Sequence, residues 1–148
     1  MVEVKVRYLT DDIADYETFM AMHEKFSYVH EDGTEFTRNP VVNDYEKFKI
    51  CTQNEELFIA TLGDEVIGYA IACGYTDGVC KIKEIYVKPE VRRKGLGKKF
   101  VEQIEKVAQN EGFRKIQLNS VSMATDNFWS YCNFRPLNNS ALYEFYFL

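Results

Sequence analysis

The chain is poor in the residues that build sites independently of a fold. Its four cysteines, Cys51, Cys73, Cys80 and Cys132, are scattered without a C-x-x-C pair, and there are only two histidines. Both a disulfide scaffold and a zinc site are therefore disfavoured. Cys73 and Cys80 could pair in principle, but both lie in apolar strand-like runs, where buried free thiols are expected. No apolar run reaches the ~18 residues that a membrane helix needs. Residues 1–6 alternate like a strand and lack the apolar stretch of a secretory signal. Linkers, internal repeats and low-complexity tracts are missing too. The expectation is a soluble, cytoplasmic protein with one domain over residues 1–148, without membrane partners.

What is present suffices for a real core, since 46% of the 148 residues are hydrophobic and 15% aromatic. Charge is unevenly placed. Residues 1–65 carry six Lys/Arg against fifteen Asp/Glu, whereas residues 81–115 carry eleven against five. A nucleic-acid binder would be basic overall, with aromatics interleaved in its basic stretch, and this chain is neither. The pattern suits a local anion site beside an acidic surface that attracts cations.

Periodicity predicts a strand over Val2–Leu9, a helix over Ile13–His30 and a second helical stretch opened by Pro40. Strands follow over Leu57–Leu62, Val66–Cys73 and Val79–Val87, with Gly63-Asp64 as a hairpin turn. After Pro89 the period changes from two to 3.6, and Leu96, Phe100, Ile104, Val107 and Ala108 form one helical face ended by Gly112. A strand over Lys115–Val121, a short helix over Thr125–Asn133 and an aromatic strand over Ala141–Leu148 complete the chain. This order is α/β, with helices around a mixed, mostly antiparallel sheet that contains one strand–helix–strand crossover. The aromatic last strand is expected in the core and could also serve as a homodimer face.

The segment Val87-Lys88-Pro89-Glu90-Val91-Arg92-Arg93-Lys94-Gly95-Leu96-Gly97-Lys98 carries the most chemistry. A strand ends at a proline, a basic loop follows, and two glycines stand at a helix entrance. Free N–H groups and the helix dipole make such an entrance an anion site, and glycine lets a phosphate approach the backbone. A dinucleotide fingerprint would need glycine where Phe100 stands, and a P-loop would need an earlier glycine and a hydroxyl after Lys98.

Arg92-x-x-Gly95-x-Gly97, after the strand Glu84-Ile85-Tyr86-Val87, resembles the pyrophosphate loop of the GNAT superfamily of N-acetyltransferases. The order of elements is similar along essentially the whole chain. The resemblance implies a sheet splayed at the central strand and direct acetyl transfer from acetyl-CoA to an amine. It implies that Ile85, Tyr86 and Val87 pair with the pantetheine arm. Arg92, Arg93, Lys94, Gly95, Leu96, Gly97 and Lys98 would hold the pyrophosphate. Given the acidic first half, which frames the acceptor cleft in this family, a small cationic amine is the expected acceptor. A protein amine, or a catalytically weak CoA-binding module, is the alternative.

An alkylammonium must lose a proton before it attacks a thioester. Glu84 interrupts an alternating strand and matches a glutamate used as base in some relatives, although it could equally be a strand-edge carboxylate paired with Lys81 or Lys83. The family's tyrosine general acid stands five residues before a Gly-Phe pair. Here the pair is Asn133-Phe134, and the position holds Trp129, which can stack on the cofactor but not usefully protonate a thiolate. Tyr131 lies ~200° further around the helix and substitutes only if the register slips. Ser122 stands where the family has asparagine. Cys132 is expected to be a plain helix thiol. His23 and His30, seven apart on one expected helix, suit a surface or cleft role rather than a metal pair.

Overall fold

The computed structural model describes residues 3–25, 28–29, 35–36, 42–54, 56–74, 77–92, 94–119, 123–138 and 142–147. A seven-stranded sheet has the order β1-β4-β5-β6-β7-β9-β8, made of β1 (Val4–Tyr8), β4 (Leu57–Leu62), β5 (Glu65–Gly74), β6 (Val79–Val87), β7 (Lys115–Asn119), β8 (Arg135–Pro136) and β9 (Leu142–Tyr146). A separate small pair joins β2 (Tyr28–Val29) to β3 (Glu35–Phe36). Every neighbour in the large sheet is antiparallel except β6 and β7. That parallel pair is the crossover, made by α3 (Leu96–Asn110). The other helices are α1 (Ile13–His23), α2 (Tyr45–Gln53) and α4 (Met123–Tyr131).

Two apolar layers sandwich the sheet. On one face Phe100, Val101, Ile104 and Ala108 of α3 pack on Ile82, Ile116 and Leu118, joined by Trp129 and Phe134. On the other, Phe19 and Met22 of α1 and Phe48 and Cys51 of α2 cover Leu57, Ile59, Tyr69, Ile71 and Tyr86. The amphipathic period of α3 thus buries the face its sequence announces. The sheet buries both faces at its centre, which explains why β5 reads as a nearly continuous apolar run.

Four helix boundaries differ from expectation. The first helix ends at His23 instead of His30, because Tyr28 and Val29 pair with Glu35 and Phe36 as strand. His30 and Pro40 lie outside the described residues. The second helix begins at Tyr45, where the Asp44 carboxylate accepts the Lys47 N–H at 2.7 Å as an N-cap. Helix α4 starts two residues early and ends at Tyr131, and the two-residue β8 carries no periodicity to find. All four cysteines are free thiols. No helix among the described residues is long and apolar enough to cross a membrane.

Candidate active site

The site forms where β6 leaves its parallel neighbour. Pairing with β7 runs only from Val79↔Lys115 to Lys81↔Gln117, although β6 continues to Val87. The separation therefore opens at Ile82, well before Pro89, where the strand run ends. Among the described residues β7 pairs with β6 no further than Lys81, so beyond that point the β7-side edge of β6 borders a gap. Such an edge can receive an extended ligand as an added strand.

At the mouth of that gap, Pro89–Val91 makes one 3-10 turn and Arg92 is extended. Gly95 then adopts φ +76°, in the left-handed region, and α3 begins. Among the described residues no side chain caps the start of α3. Space beside Gly95 is open, whereas a Cβ at Gly97 would stand 3.2 Å from the Phe128 ring and 4.0 Å from Val87. The missing side chains leave uncapped backbone donors and an unopposed dipole at the gap. These residues fit a phosphate-bearing ligand.

The predicted loop residues divide by role. Ile85 and Val87 turn toward the α3/α4 layer and Tyr86 toward α1 and α2, so what they share toward the gap is backbone. Arg92 is folded back on the strand, its Nε donating to the Val87 carbonyl at 2.7 Å and its guanidinium 5.5 Å from the Tyr86 ring centroid. It braces the loop. Leu96 buries its side chain in the core, leaving only its backbone for a ligand. Lys94 is exposed, Lys98 lies with its ammonium 4.4 Å over the Tyr131 ring, and Arg93 is outside the described residues.

Glu84 is fully buried on the opposite side. In β6, Ile71 pairs with Glu84 but Ala72 pairs with Ile82, so Lys83 is an extra residue, a β-bulge. The bulge changes the face. Cys80 and Ile82 point to α3, and beyond Lys83 the residues that do so are Ile85 and Val87. Glu84 therefore meets α1, where its Oε2 lies 2.9 Å from His23 Nδ1 and accepts the Tyr69 hydroxyl proton. His23 Nδ1 is also 2.8 Å from the Tyr69 oxygen. The Val42 N–H donates to His23 Nε2 at 3.3 Å, which makes Nε2 an acceptor and places the ring proton of a neutral imidazole on Nδ1. His23 is thus a core residue and not a surface one. Glu84 pairs with His23 and Tyr69 instead of the strand lysines. The sequence contained a trace of this: Ile82 and Ile85 are both apolar at a spacing of three, which a regular strand cannot put on one face.

Packing places two further expected residues. Trp129 is 5% exposed and packs on Phe128 and Phe134, with ring centroids 5.0 and 5.1 Å away, so its indole belongs to the core. Tyr131 is 60% exposed beside the first turn of α3, across the sheet from Glu84. Ser122 lies outside the described residues. Burial pushes the Cys132 thiol up to about 12, so it supplies no thiolate nucleophile at neutral pH.

The sequence model of the acetyltransferase (GNAT) family matches residues 15–134. The chain belongs to that family. No curated protein sequence matches it. Among solved structures, the PaiA N-acetyltransferase from Thermoplasma acidophilum, in complex with coenzyme A, is similar with a TM-score of 0.70 and 15% identity, over 98% of this chain and 99% of that one. An acetyltransferase from Bacillus subtilis, in complex with CoA, gives 0.61 and 18% over all of both chains. N-acetylglutamate synthase from Neisseria gonorrhoeae, complexed with coenzyme A and L-arginine, gives 0.71 and 14% over 99% of this chain and 34% of that one. At these identities the likeness is one of fold. The α/β sheet splayed at β6 is the fold of these acetyltransferases.

Proposed function

We propose that this acetyltransferase moves the acetyl group of acetyl-CoA directly to the primary amine of a small acceptor. The observation that carries the reading is the uncapped, glycine-lined start of α3 at the mouth of the β6–β7 gap. The N–H groups of Gly95 to Lys98 would hold the pyrophosphate, braced by Arg92, and the backbone of Ile85–Val87 would align the pantetheine arm. Acetyl-CoA supplies a thioester, whose carbonyl carbon gains the acceptor's nitrogen as its sulfur leaves with the bonding pair. The acceptor arrives as an ammonium, with a pKa of about 10, and the acidic excess of residues 1–65 favours such a cation near the surface. Its proton must be removed before attack. Glu84, whose side chain has no exposed surface, would collect it through a relay.

The test is thiol release from acetyl-CoA against a panel of small amines, with cofactor binding followed by thermal shift. Turnover together with a raised Tm supports the reading, and no shift at millimolar acetyl-CoA removes it. The burial of Trp129 favours one second reading, a catalytically weak CoA-binding module, which binding without turnover would identify.

A further inference from the structure

On the other side of β6 from the gap, a cavity of about 470 Å³ lies between the C-terminal half of α1 and the end of β6. Its floor is made by the buried Met22 and Tyr86. Lys25, Lys88, Arg92 and Glu90 line it, three cations against one carboxylate. Neither lysine has an ion-pair partner among the described residues. Among the lining residues Glu90 is the single carboxylate. In a chain of net charge −5, this cavity gathers positive charge over an apolar floor. A few cations converging on an apolar pocket of this size are what recognises a carboxylate or phosphate on a small molecule.

The position gives that anion a place in the reaction. Tyr86 is two residues beyond Glu84 on the same face, ~7 Å along the strand, and Met22 adjoins His23. We propose that the acceptor carries a carboxylate or phosphate besides its amine, and that this anionic group sits between Lys25 and Lys88. The proposal rests on the acetyl-transfer reading above and names the substrate class. The acceptor is then a zwitterion whose two ends meet opposite fields: its ammonium the acidic surface, its anion the cavity.

The experiment compares 6-aminohexanoate, 2-aminoethyl phosphate, hexylamine and 1,6-diaminohexane as acceptors for the wild-type chain and for Lys25→Glu and Lys88→Glu. Lys25 is exposed and Lys88 half-buried at the end of its strand, so the variants should fold. An anionic acceptor should be preferred, and each charge reversal should raise its KM by ~5- to 10-fold, the scale of a rim charge contact. The KM values for hexylamine and acetyl-CoA should not move, and the carboxylate and phosphate arms show which anion is taken. A wild-type preference for the diamine, or unchanged KM in both variants, overturns the proposal. A raised acetyl-CoA KM does so as well, because the cavity would then be taking a phosphate of the cofactor. Should no amine be acetylated, the transfer reading fails, and amide NMR still decides the cavity. Shifts at Met22, Lys25 and Lys88 on titration with 6-aminohexanoate support the site, and their absence overturns it.

Discussion

Glu84 and His23 face each other inside the α1/α2 layer, Oε2 to Nδ1 at 2.9 Å, with 0% and 1% of their side chains exposed. The pair links the central strand to α1, and the Val42 N–H on Nε2 adds the chain entering α2. Removing one member of a buried pair strands the other, at a cost of about 3–5 kcal/mol. His23→Leu should therefore lose stability on that scale in urea unfolding. Adding Glu84→Leu should recover part of it, since no charge then remains to be buried. A single variant within 1 kcal/mol of wild type would show that the layer opens to water.

If Glu84 collects the acceptor's proton, Glu84→Gln should keep cofactor affinity and lower turnover by ~10²-fold or more. The deficit should shrink as pH rises, because more acceptor arrives already deprotonated. The amide can still accept from Tyr69, so the fold should tolerate it. Normal turnover at neutral pH would eliminate the glutamate.

Gly95 and Gly97 should fail differently. Gly95→Ala meets no neighbour but must hold φ +76°, a strain of about 1–2 kcal/mol seen in unfolding. Gly97→Asp would crowd Phe128 at 3.2 Å and set a carboxylate against the phosphate site. It should cost most of the acetyl-CoA affinity, measured by calorimetry on the folded variant. Equal affinity to wild type would place the phosphate elsewhere.

Glu105 on α3 predicts a pH dependence. Burial, and then the like charge of Glu102, push its carboxyl up to about 7, with Lys98 opposing. The folded state holds this proton where the unfolded chain, titrating near 4.5, has released it. Its contribution to stability is thus fully present below pH 4.5 and is lost as pH rises through 7. Glu105→Gln should raise Tm at pH 8 relative to wild type, and the gap should close by pH 4. A constant offset across that range would refute the assignment.

The sheet strands and α3 were legible because their periodicity is set by burial on known faces, and Leu57–Leu62 and Val79–Val87 were read to the residue. The loop at Gly95 was legible because a left-handed turn and a close approach both demand glycine. The partners of Glu84 were not. They depend on the bulge at Lys83, which one strand's sequence shows only as Ile82 and Ile85 sharing a face, and on His23 and Tyr69, which are 61 and 15 positions away. The sign of the charge beside the site was hidden for a similar reason. Summed over 65 residues the first part of the chain is acidic, yet capping and local ion pairs occupy Asp44, Asp15 and Glu46, and the cavity is lined by Lys25 of this part and Lys88 from β6's end.

Trp129 and Tyr131 provide the last prediction. Trp129→Tyr puts the family's tyrosine back at its position. The indole, however, fills the space between Phe128 and Phe134, and a phenol there leaves part of that volume empty and buries a hydroxyl in an apolar layer. The variant should lose about 1–3 kcal/mol without a gain in turnover. Tyr131→Phe removes a hydroxyl from a ring that is 60% exposed and lies against Lys98, so stability should stay within about 0.5 kcal/mol. Turnover should hold too, because a CoA thiol with a pKa of about 8.5 can leave as thiolate near neutral pH. A tenfold loss in Tyr131→Phe at unchanged Tm would instead make this hydroxyl the proton donor.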